Sequence, residues 1–428
     1  MELKSGYKRT EAGVIPEDWT LSRLSTLSAF ITKGATPTTY GFKWQSDGVL
    51  FLRSECVSED GLDLSQSMRI SEQAHAALSR SQIRTGDILI TITGNVGRAI
   101  LFNLGSDANI NQHIARVRIN TTEASGEFIY HYLSSPPCRA RFASITTGQA
   151  YPQISLKQVR EALIPLPSTK SEQSAIAEAL SDADAIIAAL EQLLAEKSQI
   201  KQGAMQTLLT SRERLPGFSG EWILRPLGEL FSFSGGFTAS RAQLSQEGLC
   251  YLHYGDIHIS DKSFIDVCSE YPDIPKLDVP LKNVSSTSLL VDGDVVFVDA
   301  SEDEEGMSKH VVVINPNKIP FISGLHTIVA KSKTNDLDRQ YRRYCFQTSA
   351  VKSQFRFFAV GTKVSGVSKS NIAKIMLPVP SVAEQAAIAT ILSDMEAEIA
   401  ALEAKLAKAR QIKQGMMQEL LTGRMRLV

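Results

Sequence analysis

Two segments of the chain carry apolar residues spaced alternately four and three positions apart, which is the pattern of paired helices. The first runs through Ile176, Leu180, Ala183, Ile187, Leu190 and Leu194, and the second through Ile388, Leu392, Met395, Ile399, Leu402 and Leu406. Such a period of about 3.5 residues leaves a narrow apolar seam that a partner helix covers. We therefore predict that the two segments pair with each other, with packing of each helix on its own globular region alone as the alternative.

The first predicted seam changes beyond its sixth position. Lys197 and Lys201 would fall on the seam there, whereas we place Ile200, Ala204 and Leu208 one position away from it. A displaced apolar stripe is typical of a stutter, which changes the winding of a coiled coil locally. We expect a stutter at this point.

The stretches that precede the two helices show a β-type pattern instead. Short runs rich in β-branched residues follow Gly-Asp turns at residues 88–92 and 295–298, and a further run covers residues 311–314. Such runs between turn residues predict strands. Ser168 and Ser171 are candidate caps for the start of the first helix.

The chain contains an internal repeat. Residues 172–215 realign on residues 384–427 at a constant offset of 212 (384 − 172), with about 29 of 44 positions identical. Weaker matches upstream, such as Trp19 with Trp222, keep the same order at drifting offsets. A tandem duplication whose front parts have diverged explains this pattern.

The repeat predicts an α+β fold in which two similar β-rich α/β domains are joined by two long helices. We predict a first domain at 1–164, a first helix at 165–214, a second domain at 215–377 and a second helix at 378–428. Because the second domain starts where the first helix ends, pairing requires an antiparallel coiled coil. The expected arrangement is pseudo-two-fold symmetric, like a symmetric dimer after fusion.

Composition and charge add little to this picture. The 428 residues include 45 Lys and Arg against 46 Asp and Glu, so the net charge of −1 indicates no anionic partner. Five cysteines without a C-x-x-C pair favour neither a disulfide framework nor a zinc site. With no apolar run resembling a signal peptide or a membrane span, we expect a cytoplasmic chain that meets no membrane.

Motifs for methyl transfer or nucleotide hydrolysis are incomplete. Ser135-Pro136-Pro137-Cys138 is close to the loop of amino-methyltransferases, but it has cysteine where an aromatic ring must stack on a flipped base. The alternative is a proline break after a helix at residues 128–133. The sequence has no G-x-x-x-x-G-K-[ST] loop to hold the phosphates of ATP. We expect no catalytic residues.

Three other candidate sites have simpler explanations. The acidic cluster of Asp299 and residues 302–305 fits a solvated loop better than a nuclease centre, with a cytosine contact as a minor alternative. Residues 92–100 match a KH-type Gly-x-x-Gly loop in spacing, but flanking β patterns favour a hairpin turn. His253 and His258 lack a third convergent ligand, so we expect no metal site.

Two similar domains related by a dyad match the local dyads of double-stranded DNA. A helix of about 40 residues is roughly 60 Å long, which bounds the outer span at about 17 base pairs. Because the two domains differ in sequence, the two halves of the site should differ as well. The expected target is an asymmetric, bipartite DNA sequence.

Base recognition uses amide or bidentate side chains, whereas phosphate contacts use Lys, Arg and hydroxyl groups. The candidates in the first domain are Lys33, Thr36, Lys43, Trp44, Asn95, Arg98, Gln112, His113, Gln149 and Tyr151. Those in the second domain are Arg241, His253, Tyr254, Lys309, His310, His326 and Lys363. Each residue alone has a structural role as its alternative, so the prediction concerns their loops more than the individual members.

The end of the second helix is basic. Its cations are Lys405, Lys408, Arg410, Lys413, Arg424 and Arg426, against the single acidic residue Glu419. They could match the helix macrodipole, contact a partner protein or follow the DNA backbone. We favour the first two explanations over the third.

Several motifs resemble the specificity subunit of type I restriction-modification systems. They are Gly6-Tyr7-Lys8-Arg9-Thr10-Glu11 with Gly13-Val14-Ile15-Pro16-Glu17-Asp18-Trp19, Leu215-Pro216-Gly217-Phe218 with Gly220-Glu221-Trp222, the paired Ile-Lys-Gln-Gly helices and the final Leu421-Thr422-Gly423-Arg424. The resemblance covers the full length, and its motifs occur twice in the same order.

The resemblance implies a non-catalytic, sequence-specific DNA-binding subunit. Each globular domain would be a target-recognition domain for one half-site, and the helix pair would set the spacer and dock two modification subunits, which restriction subunits join. S-adenosylmethionine, ATP and Mg would then be bound by those partners and none by this chain. The alternative from another class is a coiled-coil scaffold whose β-rich ends bind proteins.

Overall fold

The computed structural model describes residues 5–58, 61–148, 150–260, 262–301, 306–361 and 365–427. The chain divides into two compact units. The first unit comprises residues 1–192 and 404–428, and the second comprises residues 193–403. Each unit therefore includes a part of both long helices, and the fold class is the predicted α+β.

The first unit is built on two four-stranded sheets. Its strands are β1 (Tyr7–Thr10), β2 (Gly13–Pro16), β3 (Thr20–Arg23), β4 (Ser28–Lys33), β5 (Val49–Leu52), β6 (Met68–Ile70), β7 (Gln82–Ile83), β8 (Ile88–Thr91), β9 (Ala99–Leu101), β10 (Ala108–Ile110), β11 (Ile114–Ile119) and β12 (Leu163–Leu166). The sheet orders are β6-β5-β10-β7 and β4-β11-β8-β9, with β1–β2 and β3–β12 as separate pairs. The predicted strand at 88–92 is confirmed as β8.

Short helices and one long helix complete this part of the chain. They are α1 (Leu24–Leu27), α2 (Glu72–Ala77), α3 (Gly126–Ser134), α4 (Pro136–Ser144), α5 (Leu156–Arg160) and α6 (Lys170–Leu208). Pro136 and Pro137 do more than break a helix, because they start α4 with the Ser135 hydroxyl as its cap. Proline suits this position, since the first helical N–H groups have no partner within the helix.

The second unit repeats this plan with a five-stranded and a four-stranded sheet. Its strands are β13 (Ile223–Pro226), β14 (Phe231–Gly235), β15 (Leu244–Ser245), β16 (Leu249–Leu252), β17 (Phe264–Asp266), β18 (Lys276–Leu277), β19 (Val295–Val298), β20 (Ala300–Ser301), β21 (His310–Ile314), β22 (Phe321–Ser323), β23 (Thr327–Ser332), β24 (Ser365–Gly366) and β25 (Met376–Val379). The sheet orders are β14-β23-β19-β21-β17 and β15-β18-β16-β22, with β13–β25 and β20–β24 as pairs. The predicted strands at 295–298 and 311–314 are confirmed.

The helices of the second part follow the same order as those of the first. They are α7 (Leu227–Leu230), α8 (Tyr254–Ile259), α9 (Arg342–Cys345), α10 (Ser349–Phe358), α11 (Lys369–Ile372) and α12 (Val382–Leu420). Both long helices start under a hydroxyl cap, since Thr169 Oγ1 accepts from Glu172 N and Ser381 Oγ accepts from Glu384 N. The predicted caps Ser168 and Ser171 are thus wrong, and Ser168 instead donates to the carbonyl of Asp18 at 2.6 Å.

The core of each unit includes residues from both long helices. In the first unit Ile176 and Leu180 of α6 and Leu420 of α12 pack in one cluster with Trp19 and Phe128. The second unit packs Leu208 of α6 with Ile388 and Leu392 of α12 around the aromatic side chains Tyr344 and Phe355. Packing of each helix on its own domain alone is therefore excluded, because α6 and α12 contribute to the same cores.

The predicted seam positions outside these two clusters are less deeply buried. Ile187, Leu190, Leu194 and Ile399 are half-buried, whereas Leu402 and Leu406 are buried with 7% and 8% exposure. Such partial burial is typical of a two-helix seam that solvent reaches from its sides.

The expected stutter is wrong, because the heptad continues through two lysines. Ala204 and Leu208 lie one heptad beyond Lys197 and Lys201, and Leu208 is buried whereas Ile200 is 56% exposed. In the second unit Lys197 Nζ lies 2.7 Å from Glu398 Oε1, and Lys201 Nζ lies 2.7 Å from Glu396 Oε1. Ion pairs with α12 therefore accommodate lysine at positions that usually hold leucine.

Candidate nucleic-acid interface

Four loops of the first unit converge beside the sheet that contains β8 and β11. They comprise residues 34–36, 92–98, 111–113 and, in the fourth loop, 147–148 and 150–154. Backbone hydrogen bonds join them: Gly34 N donates to Ile114 O at 3.3 Å, Ile92 N to His113 O at 2.9 Å, and Ile154 N to Ile92 O at 3.0 Å. Since these contacts link distant parts of the sequence, they hold the loops close to one another.

A glycine allows this close approach in each unit. A Cβ atom on Gly34 would lie 1.9 Å from the carbonyl oxygen of Ile110, and one on Gly236 would lie 1.6 Å from that of Gly324. Contacts this short are impossible for any other residue, so glycine is required where the loop crosses the neighbouring strand. The two glycines follow β4 and β14, the equivalent strands of the two units.

Four predicted residues of the first unit form one polar cluster. The Thr36 hydroxyl donates to Gln112 Oε1, and Gln112 Nε2 lies 2.9 Å from His113 Nε2. The His113 ring meets the Tyr151 ring edge-on, with centroids 6.3 Å apart. Tyr151 is 63% exposed, so the cluster opens to solvent at this side. Amide, imidazole and phenol groups are therefore presented together.

The other candidates of the first unit lie outside this cluster. Lys33, Lys43 and Asn95 are exposed, whereas Trp44 is half-buried and packs edge-on against Phe51, with centroids 5.1 Å apart. Trp44 therefore has a packing role.

Arg98 is half-buried and lines a separate cleft of about 830 Å³ within the first unit. Residues 92–98 form the turn of the antiparallel β8–β9 hairpin, as predicted, instead of a KH loop. Gln149 lies outside the described residues.

The second unit has a polar cluster of its own, formed by a different set of side chains. Arg241 Nη2 lies 2.7 Å from Asp256 Oδ1 and 3.2 Å from His253 Nδ1. Burial and the nearby guanidinium of Arg241 lower the pKa of His253. His253 Nδ1 also accepts from Gly255 N at 3.0 Å, which fixes this nitrogen as an acceptor. The neutral imidazole of His253 thus lies next to the Arg241 guanidinium without charge repulsion.

This arrangement continues through two aromatic rings to His326. The Tyr254 ring lies 4.7 Å from the His253 ring and meets the His326 ring edge-on at 5.4 Å. His326 Nδ1 lies 3.4 Å from Asp299 Oδ1. Arg241, His253, Tyr254 and His326 therefore form one cluster in the second unit, with the two carboxylates as its supports.

His113 and His326 occupy the same place in the two units. Each lies three residues after the end of an equivalent strand, β10 or β22. The backbone carbonyl of His113 accepts from Ile92 N at 2.9 Å, and that of His326 accepts from Asp299 N at 3.1 Å. His326 has a positive φ of 61°. A non-glycine residue in this region is strained and often has a functional role.

Two candidates of the second unit do not face solvent in this cluster. Lys309 Nζ donates to the backbone carbonyls of His258 and Ser260, which fixes the loop after α8. His310 is 6% exposed, and its ring lies 5.6 Å from Phe297 and 5.0 Å from Phe346.

Burial lowers the pKa of His310 to about 4, so it is a neutral core residue. Its burial contradicts the prediction that it contacts DNA. Lys363 and the acidic residues 302–305 lie outside the described residues.

Most of the basic residues near the C-terminus form ion pairs inside the first unit. Lys413 pairs with Asp184, and Arg410 Nη2 lies 2.7 Å from Glu191 Oε1. Arg424 Nη1 lies 3.6 Å from Oε1 of Glu419, which is near the end of α12. A structural role in the helix pair therefore accounts for two of these three cations. Arg426, a fourth, binds Glu172 and Asp18.

The ion pair of Arg426 with the buried carboxylate of Glu172 was not predicted, although the repeat contains a signal for it. Glu172 and Glu384, at the starts of the long helices, are matched by the 212-residue offset, as are Arg214 and Arg426. Arg426 contacts Glu172 in the first unit, and Arg214 contacts Glu384 in the second. Identical residues at both positions of an ion pair in both copies would have indicated a structural pair.

Within the residues that the structure describes, no group of three or more His, Cys, Asp or Glu side chains is placed to hold a metal ion. In the same part of the chain, no helix combines the length and the apolar character that crossing a membrane requires.

Two duplicated units, each with a cluster of polar loop side chains and with parts of both long helices in its core, are the features of a two-domain DNA target-recognition protein. The type I restriction modification DNA specificity domain matches residues 16–202 and 286–411. The chain belongs to this family and is a specificity subunit. In this family the enzymatic activities lie on other subunits, so the chain is the non-catalytic member, and the scaffold alternative is not favoured.

Two known proteins resemble the chain over almost its whole length, and a third resembles about half of it. A putative type I restriction enzyme MjaX specificity subunit of Methanocaldococcus jannaschii is 23% identical, covering 99% of this chain and 97% of its own. The EcoBI specificity subunit of Escherichia coli is 26% identical over 49% of this chain and 43% of its own. The crystal structure of a type I S subunit from M. genitalium matches with a TM-score of 0.61 and 16% identity, covering 98% of both chains.

Proposed function

We propose that each unit reads one half of a bipartite double-stranded DNA sequence through its loop cluster. The observation that carries this proposal is the equivalence of His113 and His326. Each histidine occupies the same backbone position and meets a tyrosine ring, 6.3 Å away at Tyr151 and 5.4 Å away at Tyr254. Two units that recognise different half-sites require the same backbone arrangement with different side chains around it.

The surroundings differ in chemistry that distinguishes bases. The first unit supplies the amide of Gln112, whereas the second supplies the guanidinium of Arg241 beside Asp256. Amides pair with adenine and guanidinium groups with guanine in the major groove. Exposed Lys33, Lys43 and Asn95 would contact phosphates, which position the protein without selecting a sequence.

The helix pair would set the unspecified spacer and dock two modification subunits, which restriction subunits then join. Exposed apolar side chains on the long helices support docking, since Ile186, Ile200 and Ile412 are 57%, 56% and 53% exposed. S-adenosylmethionine, ATP and Mg would be bound by those partners, and the complex would act in the cytoplasm.

Methylome sequencing of a host with and without this gene tests the proposal. Deletion should remove one bipartite methylated motif, whereas an unchanged methylome in an active system would contradict it. An exchange of residues 28–160 for those of another family member should then change the first half-site alone. This exchange keeps Asp18 and Trp19, because Asp18 binds Arg426 and Trp19 belongs to the core that both helices share.

A matched exchange of the corresponding residues of the second unit, 231–373, should change the second half-site alone. The two exchanges are controls for each other. If either exchange altered both halves of the motif, the assignment of one unit to each half-site would be wrong.

A further inference from the structure

Gln112 is held by two neighbours that come from different loops. Thr36, 76 positions earlier in the chain, donates its hydroxyl hydrogen to Oε1. On the other side of the amide, Nε2 lies 2.9 Å from Nε2 of His113. His113 is itself fixed, since its backbone N–H donates to Asn111 Oδ1 at 3.1 Å and its carbonyl accepts from Ile92 N. Thr36 and His113 therefore fix the orientation of the Gln112 amide plane.

Among the residues that the structure describes, these two contacts leave the amide one donor and one acceptor. A glutamine side chain has two N–H hydrogens and two lone pairs, and Thr36 and His113 together occupy one of each. The result is the same if the amide is turned over, since His113 would then donate to Oε1 and Thr36 would accept from Nε2. One N–H on the nitrogen and one lone pair on the oxygen thus remain on the half-buried amide.

A neighbouring donor and acceptor match one base edge in the major groove. Adenine presents the N7 acceptor beside the N6 amino donor, whereas guanine presents two acceptors there. Cytosine offers a donor alone, and thymine an acceptor beside a methyl group. We propose that Gln112 reads an adenine in the half-site of the first unit, with Thr36 and His113 as its positioning residues. This inference rests on the proposed function.

The second unit lacks this device at the equivalent position. Strand β10 (Ala108–Ile110) corresponds to β22 (Phe321–Ser323), an offset of 213 (321 − 108). At this offset Leu325 is the residue of the second unit that is equivalent to Gln112. Leu325 is 39% exposed and has no side-chain donor or acceptor. The adenine contact therefore belongs to the first half-site alone, and Leu325 is the matched control position.

The test compares the methylated motifs of hosts that carry the complete system with the wild-type chain, with Gln112→Ala or with Leu325→Ala. We expect Gln112→Ala to reduce discrimination at one A·T pair of the first half-site by about 5- to 150-fold, and to leave the second half-site unchanged. Leu325→Ala should leave the first half-site unchanged. Unaltered specificity of Gln112→Ala, or relaxation only at a G·C pair, would overturn the inference while the proposed function stands.

A second measurement covers the case in which Gln112→Ala does not assemble. The wild-type complex is bound to duplexes in which 7-deazaadenine, which lacks the N7 acceptor, replaces each adenine of the first half-site in turn. We expect one position to lose about fivefold or more in affinity, and Gln112→Glu, which keeps the side-chain volume, to abolish that difference. If no position responds, the inference is wrong. If the wild-type chain directs no bipartite motif at all, the proposed function itself fails.

Discussion

Arg426 binds the carboxylate of Glu172 through two guanidinium nitrogens, with Nη2 lying 2.8 Å from Oε2. The repeat places the same relationship at Arg214 and Glu384, again with Nη2 2.8 Å from Oε2. Both glutamates are buried, with exposures of 2% and 1%. Each unit is thus closed by an ion pair between the start of one long helix and the segment that follows the other.

Arg426→Ala should destabilise the first unit, because it leaves the buried carboxylate of Glu172 without its cation. Breaking a buried pair costs about 3–5 kcal/mol, and since Arg426 is 32% exposed we expect about 2 kcal/mol. Urea denaturation followed by tryptophan fluorescence measures the loss, because Arg426 lies 5.8 Å from the Trp19 ring.

The control is Arg410→Ala, whose ion pair with Glu191 is exposed at both partners. Exposed pairs contribute about 0–1 kcal/mol, so this variant should differ little from the wild type. Adding Glu172→Gln to Arg426→Ala should recover part of the loss, since no buried charge then remains. Equal stabilities of the two arginine variants would contradict the structural role of Arg426.

The two seam lysines that the repeat matches, Lys201 and Lys413, should respond differently to leucine. Glu396, the partner of Lys201, also contacts Arg343 and lies 2.9 Å from the Tyr344 hydroxyl. In the described part of the chain, Asp184 has only His131 Nδ1, 3.9 Å away, besides Lys413. Lys201→Leu leaves its carboxylate paired, whereas Lys413→Leu does not.

We expect Lys201→Leu to be neutral or stabilising, because leucine fills a heptad position. Lys413→Leu should have an unfolding free energy about 1 kcal/mol lower than that of Lys201→Leu. The difference is modest because Asp184 is 36% exposed. Thermal and urea unfolding of both variants measure the difference. The reverse order of stabilities would mean that seam packing outweighs the ion pairs.

The sequence predicted the regular parts of this structure and missed its long-range polar contacts. Heptad spacing and β-branched runs are local signals, and they identified α6, α12, β8 and β19. Lys197 and Lys201 led to the wrong prediction of a stutter. A lysine at a seam position is explained only by its acidic partner on the other helix, here Glu398 or Glu396, and the heptad spacing does not show that partner. Pattern alone could not show which polar side chains have buried partners.

The DNA-contact candidates show the same limit. His310 and His326 have similar loop-like surroundings in the sequence, but only packing reveals that one is a core residue and the other exposed. Thr36 and Gln112 were predicted separately, and their contact across 76 positions depends on the folded sheet. Composition identifies candidate loops, whereas tertiary structure decides which members act together.

Stability should fall at acidic pH because His131 is buried as a neutral group. Burial lowers the pKa of His131 to about 4 from 6.5, with Asp184 opposing the shift. The folded state therefore binds fewer protons than the unfolded state between these values. The stabilising contribution is complete above pH 6.5 and is lost as the pH falls toward 4, by about 3 kcal/mol at most.

A variant that tests this pH effect comes from the second unit, in which Tyr344 is the residue equivalent to His131. Tyr344 lies 3.0 Å from Ser393 Oγ, and His131 Nε2 lies 3.0 Å from Ser181 Oγ. We expect His131→Tyr to fold and to reduce the dependence of unfolding free energy on pH. His310 in the second unit has a pKa of about 4 too, so some dependence should remain. An unchanged pH profile would show that His131 is not neutral when folded.

Thr36→Val should weaken base discrimination without removing it. The valine keeps the volume of threonine but cannot donate to Gln112 Oε1, so the amide is free to turn. We expect relaxation at the same A·T pair as for Gln112→Ala, but by a smaller factor of about two to ten. Thr36→Ser, which keeps the hydroxyl, should restore the wild-type motif. Loss of all binding with both variants would indicate a folding defect instead.

His326→Asn should change the second half-site while preserving the fold. The backbone at His326 has a φ of 61°, a conformation that asparagine tolerates and that costs most other residues about 1–2 kcal/mol. Asparagine removes the imidazole that meets the Tyr254 ring and lies 3.4 Å from Asp299 Oδ1. We therefore expect altered discrimination at the second half-site, with a change in unfolding free energy below about 1 kcal/mol. The matched variant His113→Asn should alter the first half-site only, and methylome sequencing of both would show whether the two histidines serve separate halves.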